Sequence, residues 1–303
     1  MPELVSVIIP TFGMPDALCR AIDSVRKQDY ENIEILVVDD NDPCSEERIY
    51  TEQRMKAYDQ DRRVLYIRHE RNMERSVARN TGIQASKGKY LMFLDNDDVY
   101  LPGKISYSIK RIEELDSSYA AVYTAYRQIR KGKTIYCCAE KREGMLLIPC
   151  ICRDLHVHTG SNLLVKKCVA EEIGGFNPSL SANEDILFLA KILERYKLGY
   201  ANMVGLEVNI KETYRKDLAI ASKAYVEQIK RIVSGMNAKT QKLVMDNINI
   251  QVARYFLLKE KNPRKAIHII KKEGICLSFT IRYASYCTKR FITKKVFGYV
   301  TPV

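Results

Sequence analysis

In the first hundred residues, short apolar runs alternate with amphipathic stretches, and each run stops at polar or acidic residues. The runs are LVSVIIP (4–10), IEILVVDD (33–40), RVLYIR (63–68) and YLMFLDNDD (90–98). Continuous apolar runs of this length predict strands covered on both faces, as in parallel sheets. Between them, residues 15–28 place Ala17, Leu18, Ala21, Ile22 and Val25 on one helical face, with Pro15 suited to a first turn. Residues 45–58 and 75–86 also read as helices. A β-α-β-α rhythm implies parallel pairing with right-handed crossovers, hence an α/β fold with a mostly parallel central sheet. Ligands of such sheets bind at the carboxyl ends of the strands.

Those ends carry the chemistry. The fourth run ends in Asp95, Asp97 and Asp98. In an extended chain residues i and i+2 point the same way, so Asp95 and Asp97 are expected to face one ligand while Asn96 points away. Two clustered carboxylates repel unless a cation lies between them, and oxygen ligands suit Mg²⁺ or Mn²⁺. A solvated acidic turn is the competing reading. The first run ends in Pro10, Thr11 and Phe12, and the second in Asp39-Asp40-Asn41-Asp42. A nucleotide fits these neighbours: a carboxylate accepts a base N–H and an aromatic ring stacks on the base. Turn residues capping helices are the alternative. Gly-x-Gly-x-x-Gly and Walker A patterns are both absent, which excludes the dinucleotide and P-loop signatures.

After Gly103 the rhythm changes. A helix is expected near 104–115, then a strand pair joined by Lys131-Gly132-Lys133, a strand at 161–167 and a helix at 184–196. From about 216 the pattern is helical: 217–234, 238–259, 263–272 and 276–297. The expected division is therefore residues 1–215 and a basic helical region, 216–303. Charge divides at the same place. Residues 216–303 carry 18 Lys/Arg against 5 Asp/Glu, a net +13, which leaves residues 1–215 at −1 and accounts for the chain's net +12. Such a tail fits nucleic acid, an anionic membrane or a solvated helical face. The stretch 279–300 interleaves aromatics with Lys/Arg, and membrane contact and a packed helix with a basic outer face both fit it. No apolar run approaches a membrane span and the N-terminus lacks a basic leader. Nine cysteines without a secretory signal read as reduced thiols. The expected location is cytoplasmic, with peripheral attachment to the inner membrane face as an option. Cys150, Cys152, His156 and His158 raise a zinc site, but the intervening residues are too few to close four ligands around one metal.

Four segments in order, VSVIIPTFG, ILVVDDND, SVARNTGIQASKGKYLMFLDNDD and GGFNPSLSANEDILF, resemble the inverting glycosyltransferases of family two, which have the Rossmann-like GT-A fold. The resemblance covers residues 4–215. It implies a nucleotide-sugar donor, usually a UDP-sugar, a divalent metal (Mn²⁺ or Mg²⁺), and a glycan or lipid-linked acceptor. It assigns donor contacts to Pro10, Thr11, Phe12, Asp40, Arg79, Asp95, Asn96 and Asp97, metal contact to Asp97 and Asp95, and the catalytic base to Asp185 of Glu184-Asp185. Asp98 is left either a supporting role behind the metal ligands or a turn role. The family's Asn-x-Gly is here Asn72-Met73-Glu74, which alters backbone freedom at that loop. Gln228-x-x-Arg231 is similar to a motif of processive synthases, but Ile232 replaces its Trp, and single-sugar transfer is expected. The alternatives are a nucleotidyltransferase of related fold, and a nucleic-acid-binding or scaffold protein using the basic region. Residues 10–20 lack the Gly-rich triphosphate loop of the first. The acidic crevice argues against nucleic acid as a partner.

Overall fold

Val5–Thr11 (β1) is buried at every residue and pairs in parallel with Ile33–Asp39 (β2), register Val5 to Ile33 through Thr11 to Asp39. β-Branched residues dominate both, as suits strands covered on two faces. The computed structural model describes residues 2–138, 140–210, 222–297 and 299–300. Pro15–Arg26 (α1) crosses between the two strands, burying Ala17, Leu18, Ala21, Ile22 and Val25, the face predicted from periodicity. Glu46–Met55 (α2), capped by the Ser45 side chain on the Arg48 amide, leads to Val64–Arg68 (β3), which extends the sheet beyond β2. Glu74–Ala85 (α3) then returns the chain to Tyr90–Phe93 (β4), on the other side of β1. This reversal of winding opens a crevice at the carboxyl ends of β1, β2 and β4.

The second half widens the sheet. Val99–Tyr100 (β5) and Lys104–Glu114 (α4) precede a hairpin, Tyr119–Arg130 (β6) and Lys133–Cys138 (β7). Its turn is the two residues Lys131 and Gly132, both at positive φ, as primed turns require. Lys133 belongs to the strand. Short helices follow at Leu147–Ile151 (α5) and Thr159–Asn162 (α6), then Leu164–Lys166 (β8) and Lys167–Glu172 (α7). The strand expected at 161–167 is thus half helix. β8 lies antiparallel between β4 and β6. Glu184–Leu193 (α8) precedes Lys197–Asn209 (β9), parallel to β6 and antiparallel to β5. β9 has no counterpart among the expected strands.

Alternate residues of β1 serve two cores. Val5, Val7 and Ile9 pack with α1 and α4, while Ile8 packs with Ile83, Phe93 and the apolar face of α8. Each fully buried side chain of this kind contributes about 1.5–3 kcal/mol. Lys223–Val233 (α9) and Ala238–Leu258 (α10) join the second core through Tyr225, Ile229, Val233, Val244 and Ile248. Pro263–Lys272 (α11), Leu277–Phe297 (α12) and Tyr299–Val300 (β10) complete the chain. The boundary expected at 215/216 lies outside the described residues, as does the start of the helix expected at 217. Among the described residues no helix is long and apolar enough to cross a membrane. The nine cysteines form no disulfide.

A lysine lies in the interior. Lys104, at the start of α4, is fully buried; its Nζ donates to Thr124 Oγ1 (3.1 Å) and Asn162 Oδ1 (2.6 Å) and lies over the Tyr100 ring. Burial pushes its ammonium down to about 7 from 10.5. Between those values the unfolded chain holds a proton that the folded chain releases, so stability rises with pH there. In urea melts from pH 7 to 9, the stability of the wild type relative to Lys104→Met should grow by up to about 1.4 kcal/mol per pH unit. A constant difference would show that Lys104 stays charged in the fold.

Candidate active site

The crevice at the switch point has a volume of about 500 Å³ and is lined by Pro10, Thr11, Phe12, Asp40, Asp95, Asn96 and Asp97, together with Asn72, Glu74, Arg75 and Ala78. It thus gathers seven of the nine residues expected at the site. The other two are outside its lining: Arg79 donates to Asp95 from behind, and Asp185 lies across Gly160 from Asp95. Phe12 is 62% exposed, a free ring at the mouth. Asp40 is buried, accepting from His69 Nδ1 (2.7 Å) and the Met73 amide (2.8 Å), while Thr81 Oγ1 bonds the other His69 nitrogen (2.9 Å). Asp39 beneath it belongs to the scaffold, ion-paired with buried Arg48 (3.1 Å).

The acidic run is not extended, as expected, but a turn closed by the Asp98 amide on the Asp95 carbonyl (3.0 Å). Asn96 is buried within it, donating to Thr11 Oγ1 (2.9 Å) and the Gly13 carbonyl (3.0 Å). The turn, not strand pleating, brings Asp95, Asp97 and Asp98 together, with ligand oxygens within 4.8 Å of one another. Among the described residues this is the group of His, Cys, Asp and Glu side chains close enough to share a metal ion. The oxygens of Asp98 are committed: they accept from Ser161 Oγ (2.7 Å), His158 Nε2 (3.1 Å) and the Asn209 amide (3.1 Å). Burial, opposed by His158, raises the Asp98 carboxyl above its ordinary value. Asn209, at the end of β9, also donates to the Asp97 carbonyl (2.6 Å). Asp95 and Asp97 therefore form the part of the cluster facing the crevice, an all-oxygen donor set that fits Mn²⁺ or Mg²⁺.

Arg79 braces the lining from behind. It is 1% exposed and donates to Asp95 Oδ1 (2.7 Å) and Glu184 Oε1 (2.9 Å), over the Phe176 ring at 5.0 Å. Burial disfavours the Asp95 anion, but Arg79 and Arg75 outweigh it and hold the carboxyl below its usual range. Glu184 is buried, and burial together with Asp185 raises its carboxyl. Asp185 beside it is half-buried and accepts from Thr159 Oγ1. Gly160 lets these groups converge: a Cβ there would lie 3.3 Å from Asp95 Oδ2 and 3.7 Å from Asp185 Oδ2. The Gly-Gly-Phe loop is docked by Asn80, whose amide pairs with both the N–H and the carbonyl of Phe176 (2.8 Å each). A Cβ on Gly175 would strike Asn80 Oδ1 at 2.5 Å.

Sequence reading missed Arg75, Thr159, Gly160 and Ser161. Arg75 had a signal: it precedes Arg79 by four residues on one helix and so shares its face. The α6 residues had none, because that helix interrupts an apparent strand. The cysteine and histidine quartet disperses, as its spacing implied. Cys150 bonds the Ile186 carbonyl, Cys152 faces the C-terminal helices, His156 meets Tyr286 and His158 meets Asp98.

A doubly wound sheet with an acidic crevice and a carboxylate across from it defines a GT-A-type transferase. The chain belongs to glycosyl transferase family 2, whose model matches residues 6–174. That membership favours the glycosyltransferase reading over the nucleotidyltransferase one. An uncharacterized glycosyltransferase of Rickettsia prowazekii is 33% identical over 189 residues, 60% of this chain and 56% of that one. Another, of Rickettsia typhi, is 28% identical over 249 residues, 80% of this chain and 74% of its own. The chain thus spans little more than half of the first relative, and 31% of one from Rickettsia felis. Residues 1–349 of S. aureus TarS in complex with UDP-GlcNAc superpose with a TM-score of 0.63 at 16% identity, covering 85% of this chain and 74% of that one. The mannosyltransferase PcManGT of Pyrobaculum calidifontis, with GDP-Man and Mn²⁺, gives 0.58 at 17%, covering 95% and 80%. These two matches show the fold.

Glu74 occupies the left-handed region, φ 71°, where the family resemblance leads one to expect glycine. A Cβ there costs about 1–2 kcal/mol. Glu74→Gly should therefore exceed Glu74→Ala in stability by about 1 kcal/mol in urea denaturation, although alanine is the better helix former. The reverse order would show that residue 74 is helical.

Proposed function

We propose that this enzyme transfers one sugar from a nucleotide donor, a UDP-sugar, to a hydroxyl of a surface-glycan or lipid-linked acceptor, with inversion at the anomeric carbon. The observation that carries the proposal is the single crevice in which Thr11, Phe12 and Asp40 stand beside Asp95 and Asp97, with Asp185 across Gly160. The complexes of TarS with UDP and UDP-GlcNAc support the choice of donor.

In this reading Phe12 stacks on the base and Asp40, aimed by His69 and Met73, accepts its N–H. Asp97, with Asp95, would hold the divalent ion, which as a Lewis acid stabilises the departing diphosphate. Arg75, at the rim, adds positive charge for the same phosphates. Asp185 accepts the acceptor proton as the new C–O bond forms. Glu184, gripped by Arg79, fixes the start of α8 so that the neighbouring carboxylate faces the reacting hydroxyl. One displacement on the face opposite the leaving group inverts the centre. Exposed Leu277 and Ile281 on the basic α12 support peripheral contact with a membrane that carries the acceptor.

Two variants separate the roles. Asp185→Asn should keep donor affinity while transfer falls about 10²–10⁴-fold, the share of a general base. Retained transfer would remove Asp185 from that role. With Mn²⁺ present, UDP at about a hundred times its Kd should stabilise the wild type by roughly 2.7 kcal/mol. Asp97→Ala should lose the Mn²⁺-dependent part of that gain, read as melting temperature across UDP, GDP and dTDP. An undiminished shift would place the ion elsewhere.

A further inference from the structure

A second cavity, of about 410 Å³, lies between the loop after α5 and the C-terminal helices α10 and α12. It shares no lining residue with the donor crevice. Its cations come from three elements: Arg153 from the loop, Arg254 from α10 and Arg282 from α12. Phe279, Tyr283 and Tyr286 of α12 supply an aromatic wall. The carboxylate in the lining, Asp154, is already paired with Arg142 at 2.7 Å. Among the described residues, no carboxylate forms an ion pair with any of the three arginines. Three arginines from separate elements line one cavity, Arg254 bonded to Tyr283 and Arg282 exposed, so the cavity presents positive charge with no carboxylate set against it.

The cavity is tied to the base helix. Arg153 donates from Nη1 to Asn183 Oδ1 at 2.6 Å, and Asn183 immediately precedes Glu184 and Asp185. Both ends of this link are held in the left-handed region, Arg153 at φ 61° and Asn183 at φ 62°. Backbone strain of this kind persists where surrounding structure over-determines it, and it gathers at ligand-holding sites. On the far side His156 Nε2 meets the Tyr286 hydroxyl at 3.3 Å, and Gln251 of α10 donates to the Cys152 carbonyl at 3.2 Å. The helical region thus fixes the position of the arginine loop.

We propose that this cavity is the acceptor subsite for a phosphate-bearing group, so that the acceptor is a phosphorylated glycan or polyol chain. Guanidinium forks match phosphate oxygens in pairs, and the tyrosine wall suits the chain attached to the phosphate. This assignment rests on Asp185 being the base, since that places the acceptor on the α8 side of the crevice. It also gives the aromatic and basic residues of α12 a binding task at the enzyme's own cleft.

The test uses the full chain saturated with UDP and Mg²⁺, so that the donor site is filled. Broadening of the ³¹P line of sn-glycerol 3-phosphate reads the second site, and UDP affinity is measured separately. The expected result is saturable binding that weakens by about tenfold or more in Arg254→Gln/Arg282→Gln, the loss of two charge-assisted contacts, with UDP affinity unchanged. Both positions are on exposed helix faces, and a melting curve checks the fold of the variant. Arg282→Gln alone, with a smaller loss, serves if the double variant fails to fold. Equal binding by wild type and variant overturns the proposal, as does no binding of glycerol phosphate. Binding only to phosphatidylglycerol vesicles, and not to the soluble phosphate, also overturns it and makes the patch a membrane contact. If UDP itself fails to bind, the donor reading falls, and the glycerol phosphate titration still decides this one.

Discussion

The arrangement of the site depends on one buried guanidinium. Arg79 reaches from α3 to Asp95 at the end of β4 and Glu184 at the start of α8, with Phe176 of the intervening loop against its face. Three segments far apart in sequence are thereby held at one point. Such a cation cannot be exchanged for a neutral side chain cheaply. Removing one partner of a buried ion network strands the others and costs about 3–5 kcal/mol. It also lets two carboxylates lie close together before any metal or nucleotide arrives, with the Asp95 carboxyl held below its usual range. The mutual repulsion that would otherwise splay the acidic turn is offset from within the protein.

Much of this was legible in the chain because strand ends and helix starts are local events. The four apolar runs became β1 to β4, the buried face of α1 matched its periodicity residue for residue, and the runs' acidic and aromatic ends now line one crevice. What escaped was non-local. The convergence of Asp95 and Asp97 was expected from pleating but arises from a turn, because Asn96 is drawn inward by Thr11 and Gly13 of the neighbouring strand end. β9 was hidden by its glycines and polar residues, since its burial is set by β6 and β5 rather than by its own alternation. Lys104 reads as a surface residue at a helix start, and only the acceptors on β6 and α6 make it an interior one. Thr159, Gly160 and Ser161 lay in a segment whose apolar continuation suggested a strand.

The C-terminal region shows why charge totals are a weak guide to partners. Its excess of Lys and Arg equals that of a nucleic-acid-binding tail, yet Tyr225, Ile229, Val233, Val244 and Ile248 lie in the same core as α8. The apolar faces of α9 and α10 therefore buttress the helix that bears Asp185. On the opposite side, α10 and α12 turn arginines and tyrosines toward the loop whose Arg153 grips Asn183.

These two layers of support have different consequences for catalysis. The proposed donor contacts are anchored mainly in the ends of β1, β2 and β4, among the most deeply buried strands of the sheet. Asp185, the proposed base, sits on α8, whose start is held from one side by Arg79 on Glu184 and from the other by Arg153 on Asn183. A carboxylate whose flanking residues are held in this way, and which Thr159 Oγ1 orients, needs little reorganisation to accept a proton from a hydroxyl within hydrogen-bond reach. The second grip comes from a loop packed against α10 and α12, so the C-terminal helices are linked to the start of α8 through Arg153 and Asn183, whereas the crevice lining at Pro10, Thr11 and Asp40 is carried by the sheet.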